Sequence, residues 1–304
     1  MANIKEIYYT DSGPDCGGSG FPVIVLIPDL LMTAGMFRKQ KIFFRRKYRV
    51  ITIDYHDRLL LSAESSEAFL KNITEEIIHL MDVLKVSRFI LCGVRMGGFI
   101  ALNAAAEYGD RVCGMIVSGM WCEQSSRGCN QRYLALSNIH LTHRKRNKII
   151  SSILRDISGD DEDEFRYCKD IWTSYSPTSL SRVLSRMTSS VSVLSSTERV
   201  YQPVLVMHGG EDNEVPVQMA ADLAAGFRYS RLTVIPGGGH IFTHTHGRTT
   251  LKIFMGYLYI IAVVLLIYMF FVVGWILFIV SDLDSVSDLL RFMLRGMLNC
   301  LSFL

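Results

Sequence analysis

Neither sign of charge dominates this sequence: 32 Lys and Arg stand against 29 Asp and Glu. Nucleic-acid recognition rests on an excess of cations, so no nucleic-acid partner is expected. The 7 cysteines are odd in number, scattered from Cys16 to Cys300, and without the spacing of a metal site. No cofactor is called for, and a Cys122–Cys129 disulfide is not expected. The N-terminal Met1-Ala-Asn-Ile-Lys5 lacks the basic patch and apolar run of a cleaved signal peptide. A reducing compartment follows for the bulk of the chain, and the sequon at Asn72 reads as chance.

The sharpest absence is local. "IFMGYLYIIAVVLLIYMFFVVGWILFIV", from Ile253 to Val280, holds no Asp, Glu, Lys, Arg or His. At ~1.5 Å per residue, a helix of these roughly 28 residues reaches ~42 Å, against a hydrocarbon core of ~30 Å. The expectation is one spanning helix over 251–281, tilted or with protruding ends. Arg248 and Lys252 flank it on one side, Arg291 and Arg295 on the other, so the loop charges barely decide its orientation. Residues 282–304 place Leu283, Val286, Leu290, Met293, Met297 and Leu301 near one face, an amphipathic tail suited to the interface or to a neighbouring helix.

What is present before residue 250 is a rhythm. Short branched runs read as buried strands: 23–27, 49–54, 89–92, 113–117, 203–207 and 232–235. Helical patterns lie between them, with Phe69, Ile73, Ile77, Met81 and Leu84 on one face of 68–86. An alanine-rich helix follows Gly97, and another runs from Pro216 to about Phe227. Such alternation predicts an α/β domain with a mostly parallel sheet over residues 1–250. Residues 121–200 break the rhythm. They are polar and helical in pattern, with a basic run at 143–148 and an acidic run at 160–164 read as solvated surface. Their position before a later core strand predicts a cap over one end of the sheet.

The chemistry should sit at strand ends. Gly93-Val94-Arg95-Met96-Gly97-Gly98 follows a strand and opens a helix, with small residues where a sharp turn needs them. "MHGGEDNEVP" offers Asp212 after one strand and "IPGGGHIF" offers His240 after the last. Turn, acid and histidine come in the order of one solution to the Ser-His-Asp problem. His240, His244 and His246 lack a carboxylate or cysteine at ligand spacing, so that stretch reads as a juxtamembrane loop and not a metal site.

On these motifs residues 5–245 resemble the α/β-hydrolase superfamily, in the branch with a helical cap. The resemblance implies Arg95 at the nucleophile position, Asp212 as the acid and His240 as the base. It matches the backbone N–H groups of Leu30 and Met96 to the oxyanion-hole donors. Two departures stand out: Pro28-Asp29 replaces the family's usual His-Gly, and leucines replace glycines within "DYHDRLLLS", Asp54 to Ser62. A guanidinium stays protonated and cannot serve as the acyl nucleophile. Cys92, inside a strand, and Ser118, ending another, are poor substitutes. Arg95 is therefore expected to fill the vacated site and pair with Asp212 or another carboxylate, or to hold an anionic small molecule. The function expected is that of a bilayer-anchored scaffold or accessory subunit, meeting integral-membrane partners through 253–304 and facing the cytosol or a mitochondrial compartment. The alternative is a working membrane-bound esterase, lipase or peptidase with a relocated nucleophile.

Overall fold

A computed structural model describes residues 2–4, 7–13, 22–55, 65–120, 130–159, 161–188, 194–261 and 263. The chain divides into two compact units, Met1–Lys252 and Ile253–Leu304.

The first unit is built on one eight-stranded sheet: β1 (Ala2–Ile4), β2 (Ile7–Asp11), β3 (Val23–Ile27), β4 (Val50–Tyr55), β5 (Phe89–Val94), β6 (Val112–Ser118), β7 (Val204–Gly209) and β8 (Ser230–Ile235). Their spatial order is β1-β2-β4-β3-β5-β6-β7-β8. β2 runs antiparallel to both its neighbours, and every pairing from β4 to β8 is parallel. All six strands read from the sequence are present, but β8 is the edge of the sheet and is buried only at Ile235, not along its length. β5, β6 and β7 are buried at every position, which is why they read as unbroken apolar runs and not as alternation. The β1–β2 edge was not foreseen: β2 is buried at Ile7 and half-buried thereafter.

Helices cover the faces. α1 (Arg38–Phe44) follows β3, and α2 (Ser66–Val83) starts at Ser65, whose hydroxyl accepts the Ala68 N–H at 3.1 Å. Phe69, Ile73, Ile77 and Met81 form its fully buried stripe, as the spacing predicts. Leu84 only caps its C-terminus and is half-buried. α3 (Met96–Glu107) lies between α2 and the strands β5 and β6, and its small residues Ala101, Ala104 and Ala105 permit that close packing. Between β6 and β7 the cap is helical as expected: α4 (Asn130–Leu136), α5 (His143–Ser158), α6 (Glu162–Ser174), α7 (Pro177–Thr188) and α8 (Leu194–Thr197). α9 (Val217–Gly226) then leads to β8.

The crossovers from β3 to β4 and from β5 to β6 leave in opposite directions, so β3 and β5 flank a switch point where loops part and a crevice opens. The loop from Pro28 and the turn at Arg95 meet there. The stretch after His240 differs from the loop expected: α10 (Phe242–Thr245) is one helical turn, and residues 247–261 are helical. Most of the apolar run and the whole amphipathic tail lie outside the described residues, as does the Cys122–Cys129 pair. Among the described residues, no helix is long and apolar enough to cross a membrane.

Two glycines hold the crevice together. A Cβ on Gly97 would lie 2.2 Å from the Ile27 carbonyl oxygen and 2.6 Å from that of Pro28, and one on Gly93 would lie 2.2 Å from the Gly97 carbonyl oxygen. These obstacles are backbone and cannot swing aside. At Gly98 the nearest obstacle is the Met120 side chain, which can repack. Gly97→Ala should therefore cost about 3 kcal/mol or more, and Gly98→Ala about 1–2 kcal/mol, in urea unfolding of the two variants.

Candidate active site

β5 enters the crevice and turns into α3 through Arg95, whose backbone sits at φ 48°, ψ −113°. That is strained ground for a residue with a Cβ, costing roughly 1–3 kcal/mol. The surroundings over-determine it. The Arg95 N–H donates to the Ser118 carbonyl at 2.9 Å, and its own carbonyl accepts from Gly98 and Phe99 at 2.8 and 3.1 Å. This is the sharp strand-to-helix turn that the glycine pattern predicts. The side chain at its apex is a buried guanidinium, 6% exposed.

The carboxylate that meets Arg95 is Asp29, not Asp212. Arg95 Nε lies 3.7 Å from Asp29 Oδ2, an ion pair too long for a hydrogen bond. The other oxygen of Asp29 accepts the Met96 N–H at 3.3 Å. Met96 is one of the two donors that the resemblance implies for the oxyanion hole, and here it serves an internal carboxylate. Asp29 itself is 3% exposed. Leu30, the second assigned donor, is fully buried, and its carbonyl accepts the Tyr175 hydroxyl of the cap at 3.3 Å.

Cap residues complete the cage around Arg95. The Tyr133 hydroxyl lies 3.5 Å from Arg95 Nη1, and the guanidinium carbon is 5.9 Å from the ring centre. The same hydroxyl donates to Glu214 Oε2 at 3.2 Å, and Glu214 Oε1 meets Arg132 at 3.4 Å. Burial opposes the charge on Arg95, while Tyr133, Asp29 and Glu214 favour it strongly enough to raise its pKa. Burial likewise pushes up the Tyr133 phenol, so it stays a neutral donor.

Asp212 and His240 stand together as predicted. His240 Nδ1 is 2.7 Å from Asp212 Oδ2. The other carboxylate oxygen accepts the N–H groups of Glu214 and Val215 at 2.8 and 3.0 Å. His208 is a second buried histidine at this acid, with Nε2 3.4 Å from Asp212 Oδ2 and 2.8 Å from the Val215 carbonyl. Burial raises the Asp212 carboxyl pKa. The charge and hydrogen bond of His240, the Val215 N–H and the charge of His208 outweigh that and hold it low. On the far side of the ring, His240 Nε2 is buried with no hydrogen-bond partner among the described residues. It faces the guanidinium's neighbourhood: a Cβ on Gly119 would lie 3.4 Å from Arg95 Cγ and 3.9 Å from His240 Nε2.

The arrangement thus sets a hydrogen-bonded histidine and carboxylate facing a guanidinium, at the position where the resemblance implies a nucleophilic hydroxyl. Asp29, Arg95, Met32, Cys168, Trp172 and His240 line the remaining cavity, which offers about 20 Å³ to the centre of a water-sized sphere. That leaves room for a water or two between these side chains. Cys92 is buried within β5, and burial raises its thiol pKa. Ser118 is buried and gives its carbonyl to Arg95. Among the described residues, no three His, Cys, Asp or Glu side chains cluster as a metal site. Asp29, Tyr133, His208 and Glu214 escaped assignment from sequence. Asp29 alone carried a signal, as the acid standing where the resemblance implies glycine.

Comparison with known proteins agrees with the fold and the motif order. Residues 58–245, well over half of the chain, match the family described as serine aminopeptidase, S33. The 3-oxoadipate enol-lactonase 1 of Acinetobacter baylyi is 30% identical over 86 residues, which is 28% of this chain. That match spans 32% of the lactonase, about a third of its length. Among solved structures, the enol-lactonase from Burkholderia xenovorans LB400 superimposes with a TM-score of 0.69 at 17% identity, covering 83% of this chain and 96% of that one. The thermophilic esterase from Thermogutta terrifontis gives 0.68 at 18% identity, covering 84% and 94%. At such identities the structural likeness is one of fold. The length of the family match, together with the Asp212–His240 pair at the ends of its strands, makes this chain a member of the serine aminopeptidase S33 family of α/β-hydrolases.

Proposed function

We propose that this chain is a membrane-anchored α/β-hydrolase-fold protein whose hydrolytic site serves structure, and that it acts as a scaffold or accessory subunit of a membrane complex. One observation carries the reading: Asp29 is shared between Arg95 and the Met96 N–H. The nucleophile's place is taken by a cation, and a donor that would stabilise a tetrahedral oxyanion already holds an anion. An outside anionic ligand would have to displace Asp29 from both partners. The apolar run over 253–280 supports the anchor, and with the tail to residue 304 it offers a surface for integral-membrane partners. The intact Asp212–His240 pair favours a second reading, an active esterase, lipase or peptidase with its nucleophile elsewhere.

Turnover of a simple nitrophenyl ester by the purified full chain separates the two. The wild type is expected to be silent. Arg95→Ser should remain close to silent, because it leaves Asp29 on the Met96 N–H and strips a buried carboxylate of its cation, at a cost of about 3–5 kcal/mol in stability. Arg95→Ser with Asp29→Gly removes both obstacles and should gain measurable turnover that His240→Ala abolishes. Wild-type turnover lost on His240→Ala would establish the second reading.

The anchor has its own test. In membranes from expressing cells, the full chain should stay in the pellet through alkaline carbonate, and a chain ending at residue 250 should leave it. Release of the full chain would remove the spanning segment from the proposal.

A structural Asp212 has a pH signature. Its carboxyl is held low in the fold, so the unfolded chain binds a proton there first as pH falls. That contribution to stability is complete above the unfolded carboxyl pKa of about 3.9 and drains away as pH drops toward the folded value. Thermal melts from pH 7 to pH 3 should show a shallower acid decline for Asp212→Asn than for the wild type.

A further inference from the structure

Residues 30–53 contain no Asp or Glu and seven Lys or Arg. Most of these cations sit on α1 and the three residues after it. Gln40 and Phe44 turn inward, each 1% exposed, with Gln40 Nε2 donating to the Thr243 carbonyl at 2.6 Å. The other side presents Arg38, Lys39, Arg45, Arg46 and Lys47, all exposed. In their midst Ile42 is 45% exposed and Phe43 38% exposed.

The fold gains little from this arrangement. The first turn of α1 carries no acidic residue, so Arg38 and Lys39 oppose the positive end of the helix dipole. Lys41 and Arg45 are like charges at i,i+4 spacing, and burial together with Arg45 lowers the Lys41 pKa against the pull of Asp54. Arg38, Arg45, Arg46 and Lys47 form no ion pair among the described residues. A face made only for water would put polar side chains at 42 and 43. Cations ringing exposed Ile and Phe are the composition of a surface that meets anionic headgroups and dips into the acyl boundary. Nucleic acid would satisfy the cations and leave Ile42 without an apolar partner.

Location supports the same occupant. Gly247 lies against α1: a Cβ there would stand 3.0 Å from Lys39 Cδ. Ile253, where the apolar run begins, follows Gly247 by six positions in the chain. We propose that the face formed by Arg38–Phe44 and Arg45–Lys47 docks on an anionic bilayer, with Ile42 and Phe43 entering the headgroup region and the cations meeting lipid phosphate and carboxylate. The inference is compatible with the anchor of the proposed function and does not require it.

Brominated-lipid quenching of Phe43→Trp, read as the excess over wild type, tests this with the full chain reconstituted in vesicles. Excess quenching is expected in phosphatidylcholine containing about 30% phosphatidylserine. It should fall at least fivefold in phosphatidylcholine alone, in about 0.5 M salt, and when Arg45→Glu, Arg46→Glu and Lys47→Glu are added. If charge reversal lowers the thermal midpoint, Arg45→Gln with Arg46→Gln serves as the gentler variant and should lose at least half of the excess. No excess on anionic vesicles, or equal excess with and without phosphatidylserine, overturns the proposal. So does RNA retention that depends on these cations without quenching at position 43. Resistance to carbonate reports the span separately, so an anchored protein with no excess quenching refutes this face alone, and an extractable protein with quenching refutes the anchor alone.

Discussion

A guanidinium buried at the turn between β5 and α3 cannot stand without a carboxylate, and the Asp29–Arg95 pair is the constraint around which the rest of the crevice is arranged. Once Asp29 points at Arg95, its second oxygen reaches the Met96 N–H and anchors the loop after β3 to the start of α3. Once Arg95 is held there, Tyr133 covers it and donates its hydroxyl hydrogen bond to Glu214, which in turn binds Arg132. Charges alternate along this chain, from Asp29 through Arg95 and Glu214 to Arg132. Each buried member is compensated by the next, and the last one, Arg132, reaches the surface and Asp156. Removing a middle member strands its neighbours in a medium of low dielectric.

The backbone of the turn is independent of what its apex carries. Arg95 keeps a left-handed φ because Gly93 and Gly97 bring β5, α3 and the loop after β3 into backbone contact. That packing would hold a serine, an arginine or any other side chain in the same strained place. Strain of this kind serves catalysis when a nucleophile is being presented. On the proposed reading it remains because the core needs the close approach, whatever stands at the apex. On that reading fold and chemistry come apart at one residue, and membership of a hydrolase family does not by itself assign hydrolysis to this chain.

The same separation explains what could be read from the sequence. Strands β3 to β7 and the Phe69–Ile73–Ile77–Met81 stripe follow from burial, which writes itself into periodicity. Arg95, Asp212 and His240 were found because their spacing to glycines and strand ends is local. The partners of Arg95 were not, because they arrive from far along the chain: Asp29 from the loop after β3, Tyr133 from a cap without a recognised motif, Glu214 from the loop after β7. Asp212, the acid that the resemblance implies, is not free for Arg95, because its oxygens are filled by His240 and two backbone N–H groups. The β1–β2 hairpin escaped for a different reason. Ile7–Asp11 reads Ile-Tyr-Tyr-Thr-Asp, without the branched apolar run that marks the more exposed edge strand β8, so the sequence does not separate it from a loop.

The helical segment between β6 and β7 is tied to the rest of the unit at several points. Tyr167 shares a hydrogen bond with Thr33 at 2.6 Å, Tyr175 donates to the Leu30 carbonyl, and Tyr133 joins Arg95 to Glu214. Hydrogen bonds of this sort contribute about 1 kcal/mol each, and those to charged groups about 1.5–3 kcal/mol. Glu214 joins the same seam, with its wholly buried side chain meeting both Tyr133 and Arg132 of α4. Cap opening therefore breaks a charge network, where a purely apolar seam would part at the cost of surface alone. A closed cap and an internal anion reinforce each other: the cap keeps water from Asp29, and the dry surroundings strengthen the hold of Arg95 on Asp29. On the proposed reading, what such a unit offers a partner is its outside, and there α1 sets exposed Ile42 and Phe43 among exposed cations.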